Sequence, residues 1–237
     1  MTKTSGLWLL LALTTVSWSD PSLLAELSFG GADARIARDT SGYAHDGRVR
    51  HAQRAPGRLG SAMSFEADTA AVRVRRTRAL NLGSQLTLEA WIYPKVIGDS
   101  SRIIIAKNDE YLLRIDKQPE GGRISFFVHV GSPAVAWEPR VSSKQSPALD
   151  HWHHVVATWD GAELSLYLNG QLQQRRERTG SANPNPYPVM VGNFEYPSCH
   201  GGNFGGLIDE LRIYNRALTP AEVLDRWQAT GPANPTP

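Results

Sequence analysis

The stretch Val155–Gln174, VVATWDGAELSLYLNGQLQQ, limits what this chain can fold into more than any other. Asp160-Gly161 and Asn169-Gly170 are pairs that readily take the positive φ angles of tight hairpin turns. Between them Leu164, Leu166 and Leu168 line one face of a strand. The pattern predicts three antiparallel strands in a meander.

The same period of two recurs elsewhere. In Leu86–Tyr93, Leu86, Leu88, Ala90 and Ile92 share a face, and Thr87, Glu89, Trp91 and Tyr93 take the other. In Arg123–Val130 the apolar side carries Ile124, Phe126, Val128 and Val130. Further strands are expected near 23–29, 71–75, 102–106, 111–116, 188–192 and 206–214. Strands at this density, without long helical periodicity, predict an all-β, two-sheet antiparallel sandwich of jelly-roll type. One short helix closes it: Thr219-Pro220-Ala221-Glu222 reads as a capping box with Pro at the first helical position, and the helix should reach about Trp227. With 237 residues, 41% of them hydrophobic, the chain is long enough for one core. The domain is expected over 20–229, followed by a disordered tail, 230–237.

Residues 1–19 read as a signal peptide. Lys3 supplies a positive start, Gly6–Val16 is a short apolar run, and Ser17-Trp18-Ser19 offers small residues near the cut. The run is too short for a membrane span, so none is expected after cleavage, and the product is expected to be secreted, extracellular or periplasmic. The single cysteine, Cys199, can form no internal disulfide and reads as a loop thiol. Formal charge is only +2. Arg73, Arg75, Arg76 and Arg78 alternate with apolar residues like the wet face of a strand, which speaks against nucleic acid as a partner.

Five stretches, in order, resemble the laminin-G-like jelly rolls of the concanavalin A-like lectin/glucanase superfamily: DTSGYAHDGRV (39–49), LGSAMSFEAD (59–68), LTLEAWIYP (86–94), HWHHVVATWDGAELSLYLNGQ (151–171) and GGLIDELRIYNRALTPAEV (205–223). The resemblance spans about Leu23 to Ala229 and implies two antiparallel sheets with a rim of loops. It also implies a secreted module that binds glycans or proteins, often with a structural calcium. For that calcium it suggests Asp39, the Gly47 carbonyl and Asp209. Strict alternation in Gly206–Tyr214 puts Asp209 on the side of Leu207, Leu211 and Ile213, where a carboxylate needs a cation or several donors. The alternative is that Asp209 accepts backbone N–H groups and that Asp39 holds an Asx-turn before Gly42.

His151, His153 and His154 do not converge on one strand face, which disfavours zinc. Glu66-Ala67-Asp68 begins the hydrolase carboxylate motif of the superfamily, but no second Glu follows. A lyase built from scattered His, Tyr and Arg stays open, as does a protein-binding adhesion module. Sugar binding needs exposed aromatics and nearby amides. Trp137, Phe194, Tyr196 and Asn193 occupy loop-like segments and are the expected ligand-binding residues. The leading expectation is therefore a non-catalytic module recognising a carbohydrate or glycoprotein, stabilised by calcium.

Overall fold

The computed structural model of the chain describes residues 20–131, 137–194 and 202–231. The expected signal peptide, Tyr196, Cys199 and residues 232–237 lie outside these.

The strands run β1 (Leu23–Leu27), β2 (Ile36–Ala37), β3 (Gly47–Arg50), β4 (Gln53–Pro56), β5 (Ser61–Ser64), β6 (Ala71–Val74), β7 (Leu86–Pro94), β8 (Arg102–Lys107), β9 (Tyr111–Ile115), β10 (Ile124–Val128), β11 (Val141–Ser142), β12 (His153–Trp159), β13 (Glu163–Leu168), β14 (Gln171–Glu177), β15 (Val189–Val191) and β16 (Gly206–Tyr214). Helix α1 (Pro220–Ala229) follows. One sheet has the order β14-β13-β12-β7-β16-β5-β4, with β1 also on β16; the other runs β11-β10-β9-β8-β15-β6-β3-β2. The pairings within both sheets are antiparallel, as a jelly-roll sandwich requires.

The core forms where the two inner faces meet. Leu86, Leu88, Ala90 and Ile92 of β7 join Val155, Ala157 and Trp159 of β12 and, from the opposite sheet, Leu113, Phe126 and Val128. All are fully buried; each such large aliphatic or aromatic side chain contributes about 1.5–3 kcal/mol. The meander is as expected, with Ala157 opposite Leu166 and Trp159 opposite Leu164. Asn169 (φ 51°) and Gly170 (φ 74°) make the second turn, while the first is a longer loop in which Asp160 Oδ1 accepts N–H bonds from Ala162 and Glu163. The Thr219–Glu222 capping box is present, and α1 seats Val223 on Val156, Tyr167 and Tyr214, outside the first sheet.

One expectation fails at β16. Glu210 adopts φ 48° and the register slips between Asp209 and Arg212. This bulge breaks the alternation: Leu207 joins the outer cluster around Trp91, while Leu211 and Ile213 enter the core. Asp209, opposite Trp91, therefore lies on the outer face, not on the side of Leu211 and Ile213.

Candidate functional site

The outer face of the second sheet carries a platform. Ile103 and Ala106 of β8, Leu112 of β9 and Phe127 of β10 form an apolar cluster away from the main core, and Trp137 and Phe194, half-buried, pack against it. Trp137 meets Phe127 edge-on at 6.3 Å and lies 4.7 Å from the His129 ring. The guanidinium groups of Arg114 and Arg140 stand 4.9 and 5.2 Å over the Phe127 ring, a favourable cation–π geometry. Two residues singled out from sequence, far apart in the chain, thus share one surface.

A polar border adjoins this platform. Arg114 Nε donates to Asp116 Oδ1 at 2.8 Å and its Nη2 to Glu120 at 3.0 Å. Ser125 donates to Asp116 Oδ2 at 2.6 Å and lies 2.7 Å from Ser142 Oγ. Beside them an open groove of about 600 Å³ is lined by Arg123, Glu138, Arg140, Ser142, Gln174 and Arg176, among others. Arg178 holds the approach to Trp137 in place: its Nε and Nη2 donate to the Val128 carbonyl and its Nη1 to the Glu138 carbonyl at 2.6 Å. Burial, with the Arg178 charge adding to it and Asp109 opposing, pushes the His129 imidazole below its usual 6.5. His129 is therefore neutral at physiological pH, and its buried Nδ1 has no hydrogen-bond partner among the described residues.

Asn193 does not offer a free amide. Its Nδ2 donates to the carbonyls of Asp68 (2.9 Å) and Ala70 (3.1 Å), and its Oδ1 accepts the Phe194 N–H. It fixes the segment that carries Phe194 to the start of β6. A sequence cannot distinguish such an amide from one waiting for a ligand.

The residues expected to hold calcium are not brought together by any contact among the described residues. Asp39 Oδ1 accepts the N–H groups of Glu26 and Ser41, and Oδ2 accepts the Ser41 hydroxyl and the His45 N–H, all at 2.8–2.9 Å. These donors occupy the lone pairs a cation would use. Gly47 lies between β2 and β6, where a Cβ would meet Val72 Cγ1 at 2.4 Å, so close packing accounts for the glycine. Asp209 accepts the N–H groups of Leu59 (3.0 Å) and Glu210 (2.8 Å). Burial pushes its pKa up to about 7 despite those bonds, with the Glu210 charge adding to the rise. No group of three or more His, Cys, Asp or Glu side chains able to hold a metal occurs among the described residues.

A convergence of His, Tyr, Arg and carboxylate does exist, on the first sheet. Glu89 receives His154 Nε2 at 3.0 Å and the Tyr214 hydroxyl at 3.3 Å, with Arg212 at 3.5 Å and Arg226 of α1 at 3.6 Å. Both Glu89 and His154 are sealed from solvent, so a polymer has no route to them. The neighbouring histidines face elsewhere, His151 to the Leu149 carbonyl and His153 to that of Ala148.

Such a fold, two antiparallel sheets packed face to face with a short closing helix, is that of a jelly roll. The family model of Laminin_G_3, described as concanavalin A-like lectin/glucanases superfamily, matches residues 66–224, and the chain belongs to that family. It is 31% identical over 111 residues to the human adhesion G-protein coupled receptor D1 and 32% identical over 92 residues to the mouse neuronal pentraxin receptor, covering 44% and 35% of this chain. The chain spans only 12% and 18% of those proteins. Among solved structures it resembles the binding domain of Paraclostridial Mosquitocidal Protein 1 (TM-score 0.69, 16% identity, 88% of this chain and 52% of that one). It also resembles domain 4 of AbnA, an extracellular arabinanase from Geobacillus stearothermophilus, in complex with arabinotriose (TM-score 0.67, 22% identity, 87% and 98%). A sialidase from Trypanosoma rangeli shares the fold at TM-score 0.64 and 18% identity, over 90% of this chain and 34% of that one. No helix among the described residues is long and apolar enough to cross a membrane.

Proposed function

We propose that this chain is an exported, non-catalytic module that binds a glycan or glycosylated partner on the outer face of its second sheet. The observation that carries this reading is the seating of Trp137 and Phe194, half-buried, on the single platform of Ile103, Ala106, Leu112 and Phe127. A sugar ring offers C–H faces to aromatic rings and hydroxyls to a polar border. Arg140, Glu138, Ser142 and Gln174 supply that border in the adjoining groove. The arabinotriose complex of the AbnA domain supports the reading by analogy of fold.

Export rests on Lys3 and the Gly6–Val16 run, and agrees with the receptors this chain resembles. The non-catalytic reading is supported by the burial of Glu89 and His154 beneath α1. Binding in this scheme asks nothing of calcium at Asp39 or Asp209, whose oxygens already accept hydrogen bonds.

The test is retention of the chain on a panel of immobilised neutral and acidic polysaccharides, with the eluates assayed for shortened products. Retention without cleavage, lost in Trp137→Ala, is expected. Product formation would overturn the non-catalytic reading, and retention of no glycan would move the site to a protein partner.

A further inference from the structure

The turn between β8 and β9 sets an amine against a carboxylate in the protein interior. Asn108 and Asp109 reverse the chain, with Asp109 at φ 56°, and the Glu110 N–H returns to the Lys107 carbonyl at 3.1 Å. The reversal brings Lys107 Nζ into an ion pair with Glu110 Oε2, and only 1% and 0% of the two side chains are exposed. Glu110 Oε1 accepts the Leu82 N–H at 2.6 Å. Burial pushes the Lys107 pKa down and that of Glu110 up, although each charge draws the other back. An amine and an acid both displaced towards their neutral forms lose little by exchanging the proton between them.

A third group comes from the segment ahead of β15, the neighbour of β8 in the second sheet. Asn185 Oδ1 accepts a hydrogen bond from Lys107 Nζ at 2.8 Å, and the Asn185 main-chain carbonyl lies 3.2 Å from the same amine. The amide is oriented from both ends. Its Oδ1 also accepts the Tyr187 N–H at 3.0 Å, and its Nδ2 donates to the Asn108 carbonyl at 2.8 Å. Nζ therefore rests against an oxygen one bond away from an amide carbon, and two donors polarise that carbonyl. Pro186 follows Asn185, so no backbone N–H stands ready to attack the carbon instead and close a succinimide. The glycan reading uses none of these three side chains.

We propose that Lys107 and Asn185 become joined by an isopeptide bond, which the folded protein forms by itself with Glu110 carrying the protons. The Lys107 ammonium first passes a proton to Glu110. The free amine attacks Asn185 Cγ, and the oxyanion that forms on Oδ1 keeps the Tyr187 N–H as its donor. Glu110 gives its proton to Nδ2 and takes one from Nζ. The Cγ–Nδ2 bond then breaks, its electron pair leaves with ammonia, and the carbonyl re-forms on the new Cγ–Nζ bond. The products are one secondary amide, one ammonia and a protonated Glu110, with nothing oxidised or reduced. Holding amine, acid and amide in contact supplies the proximity that this exchange lacks in water. The bond ties β8 to the approach of β15 across a separation of 78 residues, restricting the unfolded chain as a disulfide would. With one cysteine, the sequence has no internal disulfide to do so.

The test is the mass of the purified full chain under denaturing conditions, set against the mass of its sequence between the observed termini. Wild type is expected to be lighter by one ammonia. Trypsin should fail to cut after Lys107 and should release the Lys107 and Asn185 peptides as one branched species. Lys107→Arg, Asn185→Ala and Glu110→Gln are each expected at full mass, the last because both ends of the bond remain but the proton carrier is gone. Wild type at full mass, with separate peptides, would overturn the inference. A lost ammonia that persists in Lys107→Arg or Asn185→Ala would overturn it too, and one that persists in Glu110→Gln would remove Glu110 from the reaction. Where a variant does not fold, the wild-type mass and its branched peptide decide the bond on their own.

Discussion

Glu89 and His154 meet at 3.0 Å outside the first sheet, with 2% and 1% of their side chains exposed. Arg212 and, from α1, Arg226 close on the same carboxylate, so this group ties the helix to the sheet. Removing one partner of a buried ion pair leaves the others uncompensated, at about 3–5 kcal/mol. Glu89→Ala should therefore cost the domain several kcal/mol in urea unfolding. A midpoint within error of wild type would show that the other anchors of the helix, Val223, Trp227 and the Arg216–Glu222 pair, hold it without this carboxylate.

The same carboxyl sets an acid limit. Burial opposes its ionisation, but the His154 hydrogen bond and the Arg212 and Arg226 charges outweigh that and hold its pKa below 4.5. A depressed native pKa gives stability that is present above the unfolded value and is lost as pH falls through the native one. The acid unfolding arm of Glu89→Gln should consequently be flatter than that of wild type below about pH 4.5.

Asp209 acts in the opposite sense. Its pKa is raised to about 7, chiefly by burial. The corresponding stability is complete below the unfolded value, near 3.8, and declines as pH rises towards 7. Denaturation of Asp209→Asn across that range should lack this decline, a difference of up to a few kcal/mol. Parallel pH profiles for the two proteins would refute the assignment.

Asp39 accepts four hydrogen bonds that tie the 39–45 loop to β1. Asp39→Ala strands those donors and should lower stability by about 2–4 kcal/mol. Since the same oxygens are the ones calcium would need, replacing millimolar calcium with EDTA should leave the wild-type melting temperature unchanged. A clear calcium-dependent rise would assign a cation site to this chain after all.

Trp137 is half-buried on the platform and contributes nothing to the main core. Trp137→Ala should weaken glycan binding roughly tenfold, about 1.4 kcal/mol, with little change in urea midpoint. Calorimetric titration checks the affinity; an unchanged dissociation constant would remove Trp137 from the site.

Much of the scaffold was legible because it depends on neighbours in the chain. The meander, the Asn169-Gly170 turn and the Thr219–Glu222 capping box follow from alternation, positive-φ residues and a local hydrogen-bond exchange. The short strands β2, β3, β4, β5 and β11 went unread, whereas β6 and β15, no longer than the longest of them, were anticipated because each carries two valines. At Glu210 one left-handed residue reversed the facing of Asp209, and no composition signal announces a bulge there.

The sequence by itself determined the sandwich, its central hairpins and the closing helix, because strand alternation and turn chemistry act over a few residues. It also marked Trp137 and Phe194 as unusual. Only the tertiary structure brought them onto one apolar cluster. Strands β8 and β15 had to be laid side by side before Lys107, Glu110 and Asn185 met. The same packing enclosed Glu89, His154, Arg212 and Arg226, from four separate elements, where solvent cannot reach the carboxylate. Register and burial are long-range properties of the assembled sheets, and they separate a half-exposed aromatic platform from a buried charged cluster.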